Sequence, residues 1–265
     1  LPRVFSIEEY GYYSYNLNVF TSVVTIFNLS ASDALVSKFS KANKDKGVVC
    51  FYFKFFCIMS IVLNLCLILL YPLPLFKKTF AGQTLIMILF GFNSAVVRKL
   101  LTDSVSIFDA MALSKIPAFW QIIQKIVMTL CVTLGAFAGI LNLQVFYIMQ
   151  IATIVFVSVI LIVIFFKYHK SIFIETVREN THGYLKSFFT FCKPLVLSVS
   201  FAQLVIIIKN WALIRWGGIN QQAVFGAAWQ LNVIVSYIFS PYAELMKREF
   251  SIVYKNFELL RMKVK

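Results

Sequence analysis

Seven stretches of the chain are apolar almost without interruption, and each is closed by charged residues or by proline, glycine and other turn formers. They run over about Tyr10–Leu29, Cys50–Tyr71, Phe80–Val97, Pro117–Ala138, Gln144–Phe166, Pro194–Trp216 and Ala223–Ala243. A helix of about 20 apolar residues crosses the hydrocarbon layer of a bilayer, so each stretch predicts one transmembrane helix. Pro72 and Pro74 close the second, and Pro117 stands at the first-turn position where proline suits a helix start. Beyond the seventh, Met246, Phe250, Val253, Phe257, Leu260 and Val264 recur every third or fourth residue opposite a basic face. That spacing predicts an amphipathic helix over 245–265, lying on the cytoplasmic interface.

The polar connections between the runs alternate in charge. Eighteen of the 25 Lys and Arg residues fall in 30–49, 98–116, 167–193 and the C-terminal stretch, all on one side of the predicted bundle. Arg3, Lys77, Lys78 and Arg215 fall on the other side. Basic loops stay in the cytoplasm, so the 30–49 side is cytoplasmic and the chain enters its first run from outside. A cytoplasmic N-terminus calls for an odd number of helices before Tyr10, and one is the simplest number; the chain reads as a fragment of a longer protein.

Composition agrees with the pattern: 60% of the 265 residues are hydrophobic and 14% charged, and the mean hydropathy is +0.82. A water-soluble domain is about 25% charged. The net charge of +14 would point to nucleic acid in a soluble protein; here the cytoplasmic loops account for it, and no nucleic-acid partner is expected.

Little of the usual catalytic chemistry is present. Cys50, Cys57, Cys66, Cys131 and Cys192 form no C-x-x-C pair, and His169 and His182 lack the spacing of a helical metal pair. No phosphate loop, nucleophile elbow or zinc-protease motif occurs, so neither cofactor nor metal is expected. All 11 carboxylates, Asp103 among them, fall in connections or at run ends on this reading. The intramembrane cations are the sharper signal. A lysine at mid-span costs about 2.5–3.5 kcal/mol on insertion scales, which directs Lys125 and Lys209 towards a cavity rather than lipid, with an anion such as a phosphate as counter-charge. Lys54 lies close enough to its run end to snorkel, while Arg98, beside Lys99, and Arg215 read as anchors at a cytoplasmic and an outer helix end. With Asn210, these five cations make up the candidate substrate path.

Three segments resemble a known family. Ile7-Glu8-Glu9-Tyr10-Gly11-Tyr12-Tyr13-Ser14 is similar to the EEYG-x-Y-S signature of O-antigen and polysaccharide flippases in the multidrug/oligosaccharidyl-lipid/polysaccharide (MOP) exporter superfamily. Asn28-Leu29-Ser30-Ala31-Ser32-Asp33-Ala34-Leu35 resembles the end of that family's second helix, and Val224-Phe225-Gly226-Ala227-Ala228-Trp229-Gln230-Leu231 its junction of helices seven and eight. The resemblance implies an all-α polytopic membrane protein whose seven helices correspond to helices two to eight of a two-lobed, MATE-like transporter. On that footing, residues 1–190 are most of the N-terminal six-helix lobe, and 191–265 begin the C-terminal lobe with its amphipathic extension. Tyr10-Gly11 and Phe225-Gly226, 215 positions apart, are the matching starts of the two lobes. Many members carry an acid near the centre of helix seven; Lys209-Asn210 stand there in this chain.

The function implied is translocation of a lipid-linked oligosaccharide, such as an O-antigen or capsule repeat unit on undecaprenyl pyrophosphate, across the bacterial inner membrane by alternating access. The implied partners are that lipid, the phospholipid bilayer and other polysaccharide-assembly membrane proteins, and no enzymatic step is expected. A MATE-like drug or cation exporter is one alternative, and a membrane-embedded polysaccharide polymerase or acyltransferase is another.

Overall fold

The computed structural model describes residues 5–41, 46–111, 113–168 and 181–231, and among them all regular structure is helical. The elements are α1 (Ile7–Phe27), α2 (Ala31–Lys41), α3 (Lys46–Leu70), α4 (Pro74–Thr79), α5 (Leu85–Ala110), α6 (Lys115–Phe137), α7 (Leu143–Tyr168) and α8 (Thr181–Ala212). A π-helical turn over Leu213–Gly217 follows, and then α9, described over 218–231.

Local chemistry explains the first boundaries. Ser6 Oγ accepts from the Glu9 N–H and the Glu9 carboxylate accepts from the Ser6 N–H, both at 3.1 Å. This capping box, with Glu8 also in the first turn, satisfies helix-end donors and places negative charge at the positive end of the dipole. At the other end Leu29 and Ser30 hold φ of 51° and 55°, and this elbow turns the chain from α1 into α2.

α1 is the hub. It packs between α5 and α8, α7 lies against α5, α6 against α7, and α2 bridges α3, α5 and α8. Ten of its 21 residues are buried, including Tyr15, Asn16 and Phe20. Among the described residues, five stretches are long and apolar enough to cross a membrane: Gly47–Leu70, Leu85–Ala110, Lys115–Phe137, Leu143–Lys167 and Phe188–Leu231. α1, although 21 residues long, is not among them, because its serines, asparagines, threonines and glutamates lower its hydropathy. The chain is an all-α polytopic membrane protein.

Phe188–Leu231 is a hairpin rather than one rod. Trp211 and Trp216 meet with ring centroids 5.9 Å apart at its tip, where Gly218 holds φ +77°, a value glycine adopts without strain. Beyond the tip, α9 comes back beside α8. It also crosses α1 closely: a Cβ on Gly11 would overlap the Ile219 carbonyl oxygen, and one on Gly226 would overlap Ser14.

Several expected boundaries move. The third run stops at Val97 by hydropathy, yet α5 continues to Ala110, so Arg98 and Lys99 lie within a helix and not at its end. The continuation is possible because Lys99 pairs with Asp103 one turn on, which offsets charge inside the helix packing. Asp103 is therefore not a loop carboxylate; it is 1% exposed in α5. The expected 30–49 loop contains α2 and the start of α3. Pro194, expected at a helix start, sits inside α8, which begins at Thr181. Lys54 lies more than two turns into α3 and is exposed. The amphipathic helix expected over 245–265, the end of the seventh run, and His169 lie outside the described residues.

A candidate substrate cavity between α1 and the α8–α9 hairpin

The inner face of α1 is built from Ser14, Asn18, Thr21 and Ser22, spaced i, i+4, i+7 and i+8 so that all four look the same way. Gln203, Ile206 and Asn210 form the facing stripe of α8, and Gln222, Phe225 and Trp229 that of α9. Between them lies a cavity of about 210 Å³ lined by Asn18, Thr21, Ser22, Gln203, Lys209, Asn210, Phe225 and Trp229, with Leu17 and Ile206. None of these ten lining residues is a carboxylate, histidine or cysteine.

Asn210, 1% exposed, organises the floor. Its Oδ1 accepts from the Gln222 amide at 2.9 Å and from Asn18 Nδ2 at 3.3 Å, while its own Nδ2 donates to the Ile206 carbonyl at 2.8 Å. The Gln222 amide nitrogen lies 3.4 Å from Ser14 Oγ, to which it donates. Gln222 is fully buried, and its Oε1 has no hydrogen-bond partner among the described residues. A buried acceptor left unpaired costs about 1–3 kcal/mol, and Gln222 lies beneath the lining residues rather than among them.

Lys209 stands at the mouth. Its ammonium lies 4.8 Å from the Phe225 ring centroid and 4.9 Å from that of Trp229, and the two rings stack at 22° with centroids 6.1 Å apart. The quadrupoles of the rings attract the cation without neutralising it. The site thus offers a full positive charge, amide donors and acceptors, and two flat apolar surfaces. It suits recognition of an anionic, hydroxylated headgroup; it holds no pairing of nucleophile and base.

The six candidate positions separate. Lys209 and Asn210 meet in this cavity. Arg98 points into a different cluster inside the α1–α5–α7 packing, donating to the Tyr13 hydroxyl at 3.1 Å. Near it, Asn16 and Gln83 exchange amide hydrogen bonds at 2.8 and 3.3 Å, and Ser94 donates to Gln150 at 2.7 Å. Arg98 is half-buried and does not line the cavity. Lys125 is exposed on α6 and does not line the cavity, nor does exposed Lys54 on α3. Arg215 is exposed in the π-helical turn at the hairpin tip. The residues that cation counting missed are the amides and hydroxyls Ser14, Asn18, Thr21, Ser22, Gln203 and Gln222. Their helical spacing within apolar runs was the available signal. In comparisons with family models, curated proteins and solved structures, nothing matches the chain.

Proposed function

We propose that this chain forms part of a flippase that moves a lipid-linked oligosaccharide, such as an O-antigen or capsule repeat unit on undecaprenyl pyrophosphate, across the bacterial inner membrane. The observation that carries the reading is the ammonium of Lys209, held over Phe225 and Trp229 at the mouth of an amide-floored cavity. A phosphate arriving there replaces two ring contacts with a charge-assisted hydrogen bond, the stronger interaction. Sugar hydroxyls then find Asn18, Gln203 and Asn210 along the walls. Cationic drugs are repelled by the same charge.

In this reading residues 1–190 belong to one lobe and 191–265 begin the second. α1 and the α8–α9 hairpin then flank the substrate path, and transport is a relative rocking of the lobes with no covalent step. The motifs around Glu8-Glu9-Tyr10-Gly11 and Phe225-Gly226 support the assignment. The test is export of surface polysaccharide by the full-length parent protein. Lys209→Gln should lower export at unchanged protein level, Lys209→Arg should lower it less, and Lys125→Gln, outside the cavity, should leave it unchanged. Normal export by Lys209→Gln would overturn the reading.

A further inference from the structure

A second buried cluster lies away from the cavity, around the elbow between α1 and α2. Asp103 of α5 pairs with Lys99 at 2.8 Å, and the Tyr52 hydroxyl of α3 donates to its other carboxylate oxygen. That hydroxyl also lies 3.3 Å from Asn28 Oδ1. Lys99 Nζ donates to Ser32 Oγ at 3.0 Å, and Asn28 Nδ2 donates to the same oxygen at 3.2 Å. Asn28 directly precedes Leu29-Ser30, the pair at positive φ, and Ser32 follows two residues after it. Residues with a Cβ stay in the left-handed region only where surrounding contacts impose it. Here the contacts converge, through one lysine and one tyrosine, on a single carboxylate. Ser30 Oγ is itself buried with no hydrogen-bond partner among the described residues.

We propose that Asp103 is a proton-binding site within the membrane domain whose charge state holds or releases the α1–α2 elbow. With the carboxylate charged, both of its oxygens accept, Lys99 has its counter-charge, and Ser32 is fixed at the start of α2. Uptake of one proton turns one carboxylate oxygen into a donor and removes the counter-charge from Lys99. The half-buried ammonium then gains by moving towards water, taking its bond to Ser32 with it, and Tyr52 turns wholly to Asn28. The elbow is accordingly held above the titration of Asp103 and released below it. Among the residues whose side chains are described, the other groups facing this point are few. Lys99 comes from α5, Tyr52 from α3 and, at longer range, Asp33 from α2. α1 contributes only the Asn28 amide, α7 brings Leu161 and Phe165 against this part of α5, and α8 brings Phe188 and the Cys192 thiol beside Tyr52. Because α2 packs on α8 as well as on α3 and α5, release at the elbow reaches the helix that carries Asn210.

Hydrogen–deuterium exchange of the whole chain in lipid nanodiscs tests this directly. Exchange in peptides covering 28–36, corrected for the intrinsic pH dependence of amide exchange, should rise about tenfold or more as pH falls from about 8.5 to 4.5, while peptides of α7 stay unchanged. Asp103→Asn should exchange at the fast rate at every pH, and Asp103→Glu should keep a pH dependence. Difference infrared spectra of the wild-type chain with isotope-labelled aspartate should show a protonated carboxyl band over the same range, a readout that needs no variant to fold. Flat exchange across the range overturns the proposal. So does a pH dependence that survives in Asp103→Asn, because the titrating group would then be another.

Discussion

The Gln222 side-chain amide donates to Asn210 Oδ1 at 2.9 Å although twelve residues separate them in one apolar 44-residue stretch. In a straight helix that spacing would hold them about 18 Å apart. The bond therefore exists only in the folded-back hairpin, and it ties the hairpin to α1 through Asn18 and Ser14.

Removing either amide should loosen this corner. Asn210→Leu and Gln222→Leu should each destabilise the chain by about 1–2 kcal/mol, as interhelical hydrogen bonds in membranes do. In a double-mutant cycle measured by denaturation in mixed micelles, the pair should show coupling of about 0.6 kcal/mol or more.

The two glycines facing the α1–α9 crossing should respond differently. Gly226→Ala meets the side chain of Ser14, with Cβ 2.6 Å away, so thermal stability in detergent should fall and should be partly restored by adding Ser14→Gly. Gly11→Ala meets the backbone carbonyl of Ile219, and no side-chain deletion on α9 should rescue it.

The Lys99–Asp103 pair predicts strong non-additivity. Lys99→Met alone leaves a buried carboxylate without its counter-charge and should cost about 3–5 kcal/mol. The double variant Lys99→Met, Asp103→Leu should be far closer to the wild type in the same unfolding assay, since two apolar side chains need no partners.

Orientation follows from the charge bias and can be read in intact cells. In a cysteine-free background, a cysteine at Asn220 should react with a membrane-impermeant thiol reagent, whereas one at Lys44 should be protected until the membrane is permeabilised. The reverse labelling would invert the topology.

Helix placement was legible in the sequence because hydropathy and turn residues act locally. The runs ending at Leu29, Tyr71, Ala138 and Phe166 stop within a few residues of α1, α3, α6 and α7. What misled was charge. Arg98-Lys99 looked like the end of a span, since periodicity does not show that Lys99 is answered by Asp103 one turn later and that both are sheltered by α2 and α3. Lys125 and Lys209 carry the same insertion cost and could not be separated by it. Packing distinguishes them: α6 touches chiefly α7, whereas α9 folds back beside α8 and sets the Phe225 and Trp229 rings against Lys209. The cavity floor was visible only as polar residues at helical spacing, a signal without meaning until α1, α8 and α9 are brought together.

The polarity of α1 bears on how the protein is made. A helix with Asn16 and Asn18 at its middle and four tyrosines in its first half is a poor candidate for release from the translocon into lipid by itself. Its asparagines are answered by Gln83 and Tyr147 on one side and by Asn210 of α8 on the other. Those partners are synthesised some 65 to 190 residues later. At the rates of ribosomal elongation, about 5–20 residues per second, α1 must wait for roughly ten seconds or more beside the translocon or a membrane chaperone before its last partner arrives. Assembly of this bundle thus waits on its central helix, whose polar partners are made well after it.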